Sequence, residues 1–272
     1  MKSAFKLNSF LATAAFLASG VASAASGYVW NAGTGTGSLV FSADALGALS
    51  TSGSVVRTDT PIAAGLPGAG AANSALYNKA TGTVSLGFNN ATGVGDTLTS
   101  LQAANSLVNI RRTLLDDNGV VSGQRNVFMA NFNVNLSSST IFADLYSNTG
   151  TGSTLTSYGN VAIFTADVAG VVGGTGGNIV FDGIVNGVAT GHASGSLAGS
   201  LRMNTTTANI VLTSLGLETT GSVATLVKTA NWGSTSASGV FTAPAAIPEP
   251  SSYVLMGMGL IGMGLLSRRR RI

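Results

Sequence analysis

The sequence predicts an all-β protein, an antiparallel β-sandwich of jelly-roll-like connectivity with one short helix, carrying a separate apolar segment at each end. Three observations predict it. The dominant hydrophobic period is two, cleanest over residues 127–136. Short apolar stretches recur between clusters of Gly, Asn, Ser and Thr, the texture of strands joined by turns. Finally, 37 of 272 residues are glycine and 8% are charged, about twice and about a third of the usual shares.

Residues 58–72, with Pro61, Pro67 and several glycines, read as a long surface loop. Residues 84–88 form the next predicted strand. Residues 96–110 place Leu98, Leu101, Ala104 or Asn105, and Val108 at spacings of three to four, which predicts the one helix, capped by Thr97, Thr99 or Ser100. In residues 127–136, Phe128, Ala130, Phe132, Val134 and Leu136 fall on one face and Asn131, Asn133 and Asn135 on the other. Residues 137–140 turn and 141–146 return, a predicted antiparallel hairpin. Further strands are expected at 161–168, 179–185, 197–203, 210–215, 223–227 and 239–241, with turns at 148–152 and 173–178. Two packed antiparallel sheets bury such a set of one-sided strands. A parallel β-helix is the alternative fold, although no fixed-period repeat is visible.

Composition narrows the chemistry. The chain has no cysteine, which excludes a disulfide scaffold, a thiolate zinc site and a cysteine nucleophile. Its formal charge of +3 belongs to the ends. Between Ala25 and Ile247 seven Lys and Arg face nine Asp and Glu, 7 − 9 = −2, so no polycationic surface awaits nucleic acid.

The first 24 residues divide as an export signal does. Lys2 and Lys6 form a positive start, and residues 10–18 form an apolar core too short to span a bilayer. Ala22-Ser23-Ala24 then offers small residues to a signal peptidase, which would leave Ala25 first. The domain organisation expected is a signal peptide over 1–24, an exported β-rich domain over 25–242, and a linker plus terminal signal over 243–272. That last stretch holds Pro248-Glu249-Pro250, an apolar run at 253–266, and Arg268, Arg269, Arg270 and Arg271. As a helix, fourteen apolar residues rise only about 21 Å against roughly 30 Å of hydrocarbon. The arginines hold the tail in the cytoplasm and the rest of the chain on the exported side.

Pro-Glu-Pro, a short glycine-rich apolar helix and a terminal arginine cluster together resemble the PEP-CTERM sorting signal of bacterial exported proteins. The resemblance covers about 25 residues, 247–272. It implies processing by an exosortase, a transpeptidase-like membrane enzyme of bacteria that usually also make extracellular polysaccharide. Ile247 stands where the family often has valine. Gly257, Gly259 and Gly262 also spell the dinucleotide-binding G-x-G-x-x-G, but inside an apolar run that follows no strand. Close helix packing in the membrane, or a helix weakened before processing, is the better use for these glycines.

Within the middle, little points to catalysis. His192, the only histidine, is expected in a loop between strands, and no G-x-S-x-G elbow accompanies it. Asp116 and Asp117, before Asn118-Gly119, suit a turn better than a calcium site or an acid–base pair, which must converge on one bond. Residues 173–178, Gly-Gly-Thr-Gly-Gly-Asn, partly echo a calcium nonapeptide, but without its aspartate or its repetition. Arg111 and Arg112 suggest one solvated and one paired side chain. Trp30, Tyr77, Tyr146, Tyr158 and Trp232 could stack on sugars if exposed together, but suit core packing better.

The expected function is that of an exported, noncatalytic surface or extracellular-matrix protein, with no catalytic residue, metal or cofactor. Its expected partners are the secretion translocon, signal peptidase, an exosortase-type enzyme, the membrane before processing, and extracellular polysaccharide. The alternative is a carbohydrate- or calcium-binding matrix module, and after it a secreted hydrolase. The secreted protein should begin at Ala25 and lack the arginine cluster. Mass spectrometry of its terminal peptides checks this, and an intact 268–272 tail outside the cell would refute processing.

Overall fold

Apolar side chains crowd one face of most strands, and burying those faces produces two sheets. The structure is a computed structural model that describes residues 28–150, 154–168, 172–173 and 178–244. The expected signal peptide, with Ala22, Ala24 and Ala25, lies outside the described residues. So do Pro248, Glu249 and Pro250, the apolar run 253–266 with its glycines, and Arg268 to Arg271. No helix among the described residues is long and apolar enough to cross a membrane.

In chain order the elements are β1 (Val29–Trp30), β2 (Ala32–Val40), α1 (Ala43–Thr51), β3 (Ser54–Arg57), β4 (Ala75–Asn78), β5 (Thr83–Phe88), β6 (Asn90–Val94), β7 (Thr97–Leu115), β8 (Val121–Asn135) and β9 (Thr140–Asn148). They continue with β10 (Thr156–Ala166), β11 (Val172–Gly173), β12 (Val180–Val185), β13 (Val188–Leu197), β14 (Leu201–Met203), α2 (Thr205–Ser214), α3 (Gly221–Thr229) and β15 (Ser234–Pro244). An eight-stranded sheet runs β1-β6-β7-β8-β9-β10-β14, with β3 also on β7; a seven-stranded sheet runs β11-β13-β15-β2-β5-β4, with β12 also on β13. Every strand pairing in the two sheets is antiparallel, so the parallel β-helix is set aside. Five consecutive strands, β6 to β10, lie side by side as a meander. The connectivity is therefore not that of a jelly roll.

The predicted helix over 96–110 is instead the start of the longest strand, β7. Two irregularities explain the misreading. Thr99 is an extra residue against β6, and residues 104–106 bulge against β8. The inward residues are Leu98, Leu101, Ala103, Val108 and Ile110, so a period of two, broken twice, imitates spacings of three to four. The same bulge corrects the reading of 127–136. Asn131 takes a left-handed φ of 52° and shifts the pleat, so Val127, Met129, Phe132, Val134 and Leu136 face the main core. Phe128 and Ala130 face the opposite side, in a second cluster with Ile62, Leu66 and Leu107. The 58–72 segment is thus a strap with a buried underside. Asn73 ties its end down, donating from Nδ2 to the Asp59 and Leu107 carbonyls and accepting at Oδ1 from Ala75 and Leu107.

Two predicted strands, at 210–215 and 223–227, are helices α2 and α3. Their Thr, Val and Ile content favours strands, but Asn204 caps α2 by accepting from the Thr206 amide at 3.0 Å. Ala208, Val211, Leu212 and Leu215 then bury one helical stripe. Helix α1, which no expectation covered, begins at Ser42, whose Oγ accepts from the Ala45 amide. Residues of the three helices meet over Ile110 and Trp232, around a void of about 20 Å³.

The inner wall of the seven-stranded sheet is unusually bare. Gly33, Gly35 and Gly37 alternate along β2, and aromatic rings lie where side chains would stand. A β-carbon at Gly33 would come within 2.6 Å of the Phe241 ring, and one at Gly37 would run into Phe88. At Gly191 it would meet the Trp30 ring at 3.1 Å. Such rings over glycine shield exposed backbone and fill the missing volume.

Gly35→Ala and Gly47→Ala should separate. A β-carbon at Gly35 overlaps the Ser238 carbonyl oxygen and lies 2.8 Å from Gly239 Cα, both backbone of the paired strand. Overpacking of this kind costs about 1–3 kcal/mol. Gly47 sits exposed in α1 with open space around it, where alanine should add about 0.5–1 kcal/mol. Urea unfolding measures both, and shifts of the same sign would contradict this packing.

Candidate functional site

The residues that carry chemistry are spread over the fold. His192 lies within β13 rather than in a loop. Its Nδ1 pairs with Asp182 Oδ1 of β12 at 2.7 Å, with the two side chains 53% and 40% exposed. Its cross-strand neighbours are Val180 and Val240. A base of this kind needs a nucleophile in reach and a site that excludes water, and this pair stands on an open sheet face.

Asp116 serves the β7–β8 turn. Its Oδ1 accepts from the Asn118 amide at 2.9 Å and the Val120 amide at 2.8 Å. Arg112 Nη1 donates to the Leu215 and Gly216 carbonyls, each at 3.0 Å, at the C-terminal end of α2, where unpaired carbonyls and the helix dipole favour a cation. Arg111 is half-buried, and its Nε is buried without a hydrogen-bond partner. Of the glycine-rich stretch, Val172–Gly173 pairs with β13 and Asn178 bridges Thr97, while residues 174–177 lie outside the described residues. Among the described residues no three of His, Asp and Glu gather as a metal site would require.

The five aromatic residues do not converge. Trp30 is buried, donating from Nε1 to the Gly95 carbonyl at 2.6 Å. Tyr28 lies beside it and stacks on Phe181, centroids 5.5 Å apart. Trp232 is buried between Phe41 and Phe164. Tyr77 packs edge-on to Phe41, and Tyr146 borders the cluster beneath the strap. Tyr158 shares its hydroxyl with Ser147 and Ser214. No stacking platform for sugars forms from this set.

What the fold does build is a cavity of about 90 Å³ between the sheets. The eight-stranded sheet presents bulk to it, including Leu98, Leu101, Phe132, Val134, Leu136 and Ile141. The other sheet presents Gly35, Ala193, Gly195, Ala237 and Gly239. Phe88 and Phe241 lie along the bare wall, and Trp232 separates the cavity from the smaller void under the helices. Sequence reading missed this space, although its signal was present. Glycine at every second position, as in Ala32-Gly33-Thr34-Gly35-Thr36-Gly37, strips one face of a strand and leaves the other hydroxylated. An empty volume of this size costs about 2 kcal/mol at roughly 24 cal/mol per Å³, so its upkeep competes with stability.

A PEP-CTERM protein-sorting motif occupies residues 246–271, bearing out the resemblance read from the sequence. No curated protein matches the chain. Among solved structures the chain is similar to the C-terminal domain of HtaA from Corynebacterium glutamicum, at 12% identity over 78% of this chain and 99% of that one, with a TM-score of 0.40. It is also similar to the heme binding protein HtaB from Corynebacterium glutamicum, at 9% identity over 79% and 95% of the two chains, with a TM-score of 0.31.

Phe132 and Asn133 test the cavity wall. Phe132 is buried between the sheets, whereas Asn133 is half-buried, not facing free water, and its Oδ1 has no partner. Phe132→Ala should cost about 3–5 kcal/mol and Asn133→Ala less than about 0.5 kcal/mol. Equal losses in denaturant unfolding would reject the assignment of faces.

Proposed function

We propose that this chain, an exported protein whose PEP-CTERM motif spans residues 246–271, acts outside the cell as a noncatalytic component of the surface or extracellular matrix. The motif carries the reading. It implies a membrane-held intermediate and an exosortase-type enzyme acting near Pro248-Glu249-Pro250. The translocon and signal peptidase act at the other end, at Ala22, Ala24 and Ala25.

The noncatalytic part is supported by the dispersal of reactive groups. The His192–Asp182 pair is exposed, Asp116 is committed to a turn, and Arg112 caps a helix. A glycosidase would need two carboxyl groups facing across a cleft. A polysaccharide-contacting module is the second reading, favoured by the outer face of the seven-stranded sheet. There β2 and β15 set Thr34, Thr36, Ser38, Ser236 and Ser238 outward, with the Ser38 and Ser236 hydroxyls 2.8 Å apart. Hydroxyl rows of this kind suit a hydroxyl-rich polymer through direct and water-mediated hydrogen bonds.

Cell fractionation tests the proposal. Glu249→Ala should move the protein from the extracellular to the membrane fraction with its β domain still folded, because Glu249 lies beyond β15. His192→Ala should be exported and retained in the matrix as the unaltered protein is. Normal release of the first variant would remove the sorting argument, and loss of a matrix-modifying activity in a folded second variant would make the protein an enzyme.

A further inference from the structure

The cavity between the sheets has a chemistry of its own, independent of how the chain is sorted. No Lys, Arg, Asp, Glu or His lines it. Of the polar residues at its margin, Thr34 and Ser238 stand on the outer face of their strands, and four more are engaged elsewhere. Asn90 accepts from the Ala91 amide and donates to Gln102. Thr235 Oγ1 accepts from the Leu197 amide. Ser38 and Ser236 bond each other on the outer face. Water held there would lack the two to four polar partners that make a buried site wet. A charged ligand would lose its hydration with nothing to replace it.

The space is also reachable. Leu39, Leu86 and Ala237 belong to the inner wall, yet they are only half-buried, whereas the opposing Leu98, Leu101, Phe132 and Ile141 are buried. The accessible surface of the space therefore lies along the inner face of β2, β5 and β15. The two walls differ in relief at the middle of the slot, where Gly35, Ala193, Gly195, Ala237 and Gly239 face branched and aromatic side chains, while Leu39, Val84, Leu86, Phe88, Leu197 and Phe241 complete the wall on the glycine side. A flat or linear hydrocarbon matches that slot, and a headed amphiphile does not.

The geometry points to the inter-sheet cavity as a binding site for a neutral, hydrocarbon-rich small molecule, seated between Phe132 and the glycines of β2 and β15. The site discriminates against charge and is closed by adding bulk at Ala193 or Ala237.

The exported protein recovered from culture can be titrated with N-phenyl-1-naphthylamine, an uncharged fluorophore. Saturable binding at one probe per protein is expected. 1-Decanol should displace it at least tenfold more effectively than decanoate, which has the same chain length and a charged head. Ala193→Leu should weaken probe binding at least tenfold with thermal unfolding still cooperative, and Ser85→Ala, on the outer face of β5, should leave binding unchanged. Ala237→Val serves if Ala193→Leu does not fold, and the preference for decanol on the unaltered protein decides if neither does. Absence of saturable binding, equal binding by a folded cavity-filled variant, or equal competition by decanol and decanoate would each overturn the assignment. None of these readouts depends on Glu249, so failure here and failure of the sorting proposal are distinguishable.

Discussion

Aromatic rings laid on glycine backbone hold this structure together. A strand of alternating glycines has no side chains with which to contact another sheet, and packed sheets ordinarily stand about 10 Å apart with both inner faces contributing. Here Phe88 covers Gly37, Phe241 covers Gly33, and Trp30 reaches across from the opposite sheet to Gly191. Each ring brings large apolar area to a place where the local strand supplies none. Where no ring lies across the gap, the separation persists and a cavity remains. Core, cavity and bare wall are one arrangement.

The second organising device is the pair of facing irregularities in β7 and β8. Asn105 and Asn131 both adopt left-handed φ values, 55° and 52°, and the Asn105 amide donates to Asn131 Oδ1 at 3.1 Å. Ser106 bridges the bulge, its Oγ donating to the Ala103 carbonyl and accepting from the Phe132 amide. Because side chains alternate faces, the bulge turns each strand's apolar set over. One sheet therefore feeds two cores: the sandwich interior, and the cluster that the 58–72 strap seals through Ile62 and Leu66. Asparagine suits this place, since it tolerates αL and brings a side-chain acceptor and donor to satisfy an interrupted ladder.

Export and fold are consistent with each other. A chain without cysteine draws no stability from an oxidising exterior, so packing and strand pairing carry it. The few ions stay at the surface as exposed pairs such as Arg57–Asp59 and Arg202–Asp167, which contribute little. Along β2 and β15 the outer face of the seven-stranded sheet carries short hydroxyl side chains, Thr34, Thr36, Ser38, Ser236 and Ser238. The same strands thus present bare glycines inward and hydroxyls outward.

Local chemistry was enough to determine several features. The Pro-Glu-Pro, apolar and arginine sequence carries its meaning in order alone, as residues 246–271 bear out. The Val121–Asn135 and Thr140–Asn148 hairpin and the Asp116 turn were legible because alternation and turn chemistry act over a few residues. Tertiary structure decided the rest. Leu98 and Leu101 looked helical because a bulge is set by the neighbouring strand, not by its own residues. Residues 210–215 looked like a strand because β-branched side chains favour one, until burial of Val211 and Leu212 against the sheet outweighed a propensity worth tenths of a kcal/mol per residue. His192 met Asp182 only when β12 paired with β13. The cavity has no local signature beyond missing side chains, since a void exists only where two distant walls fail to meet.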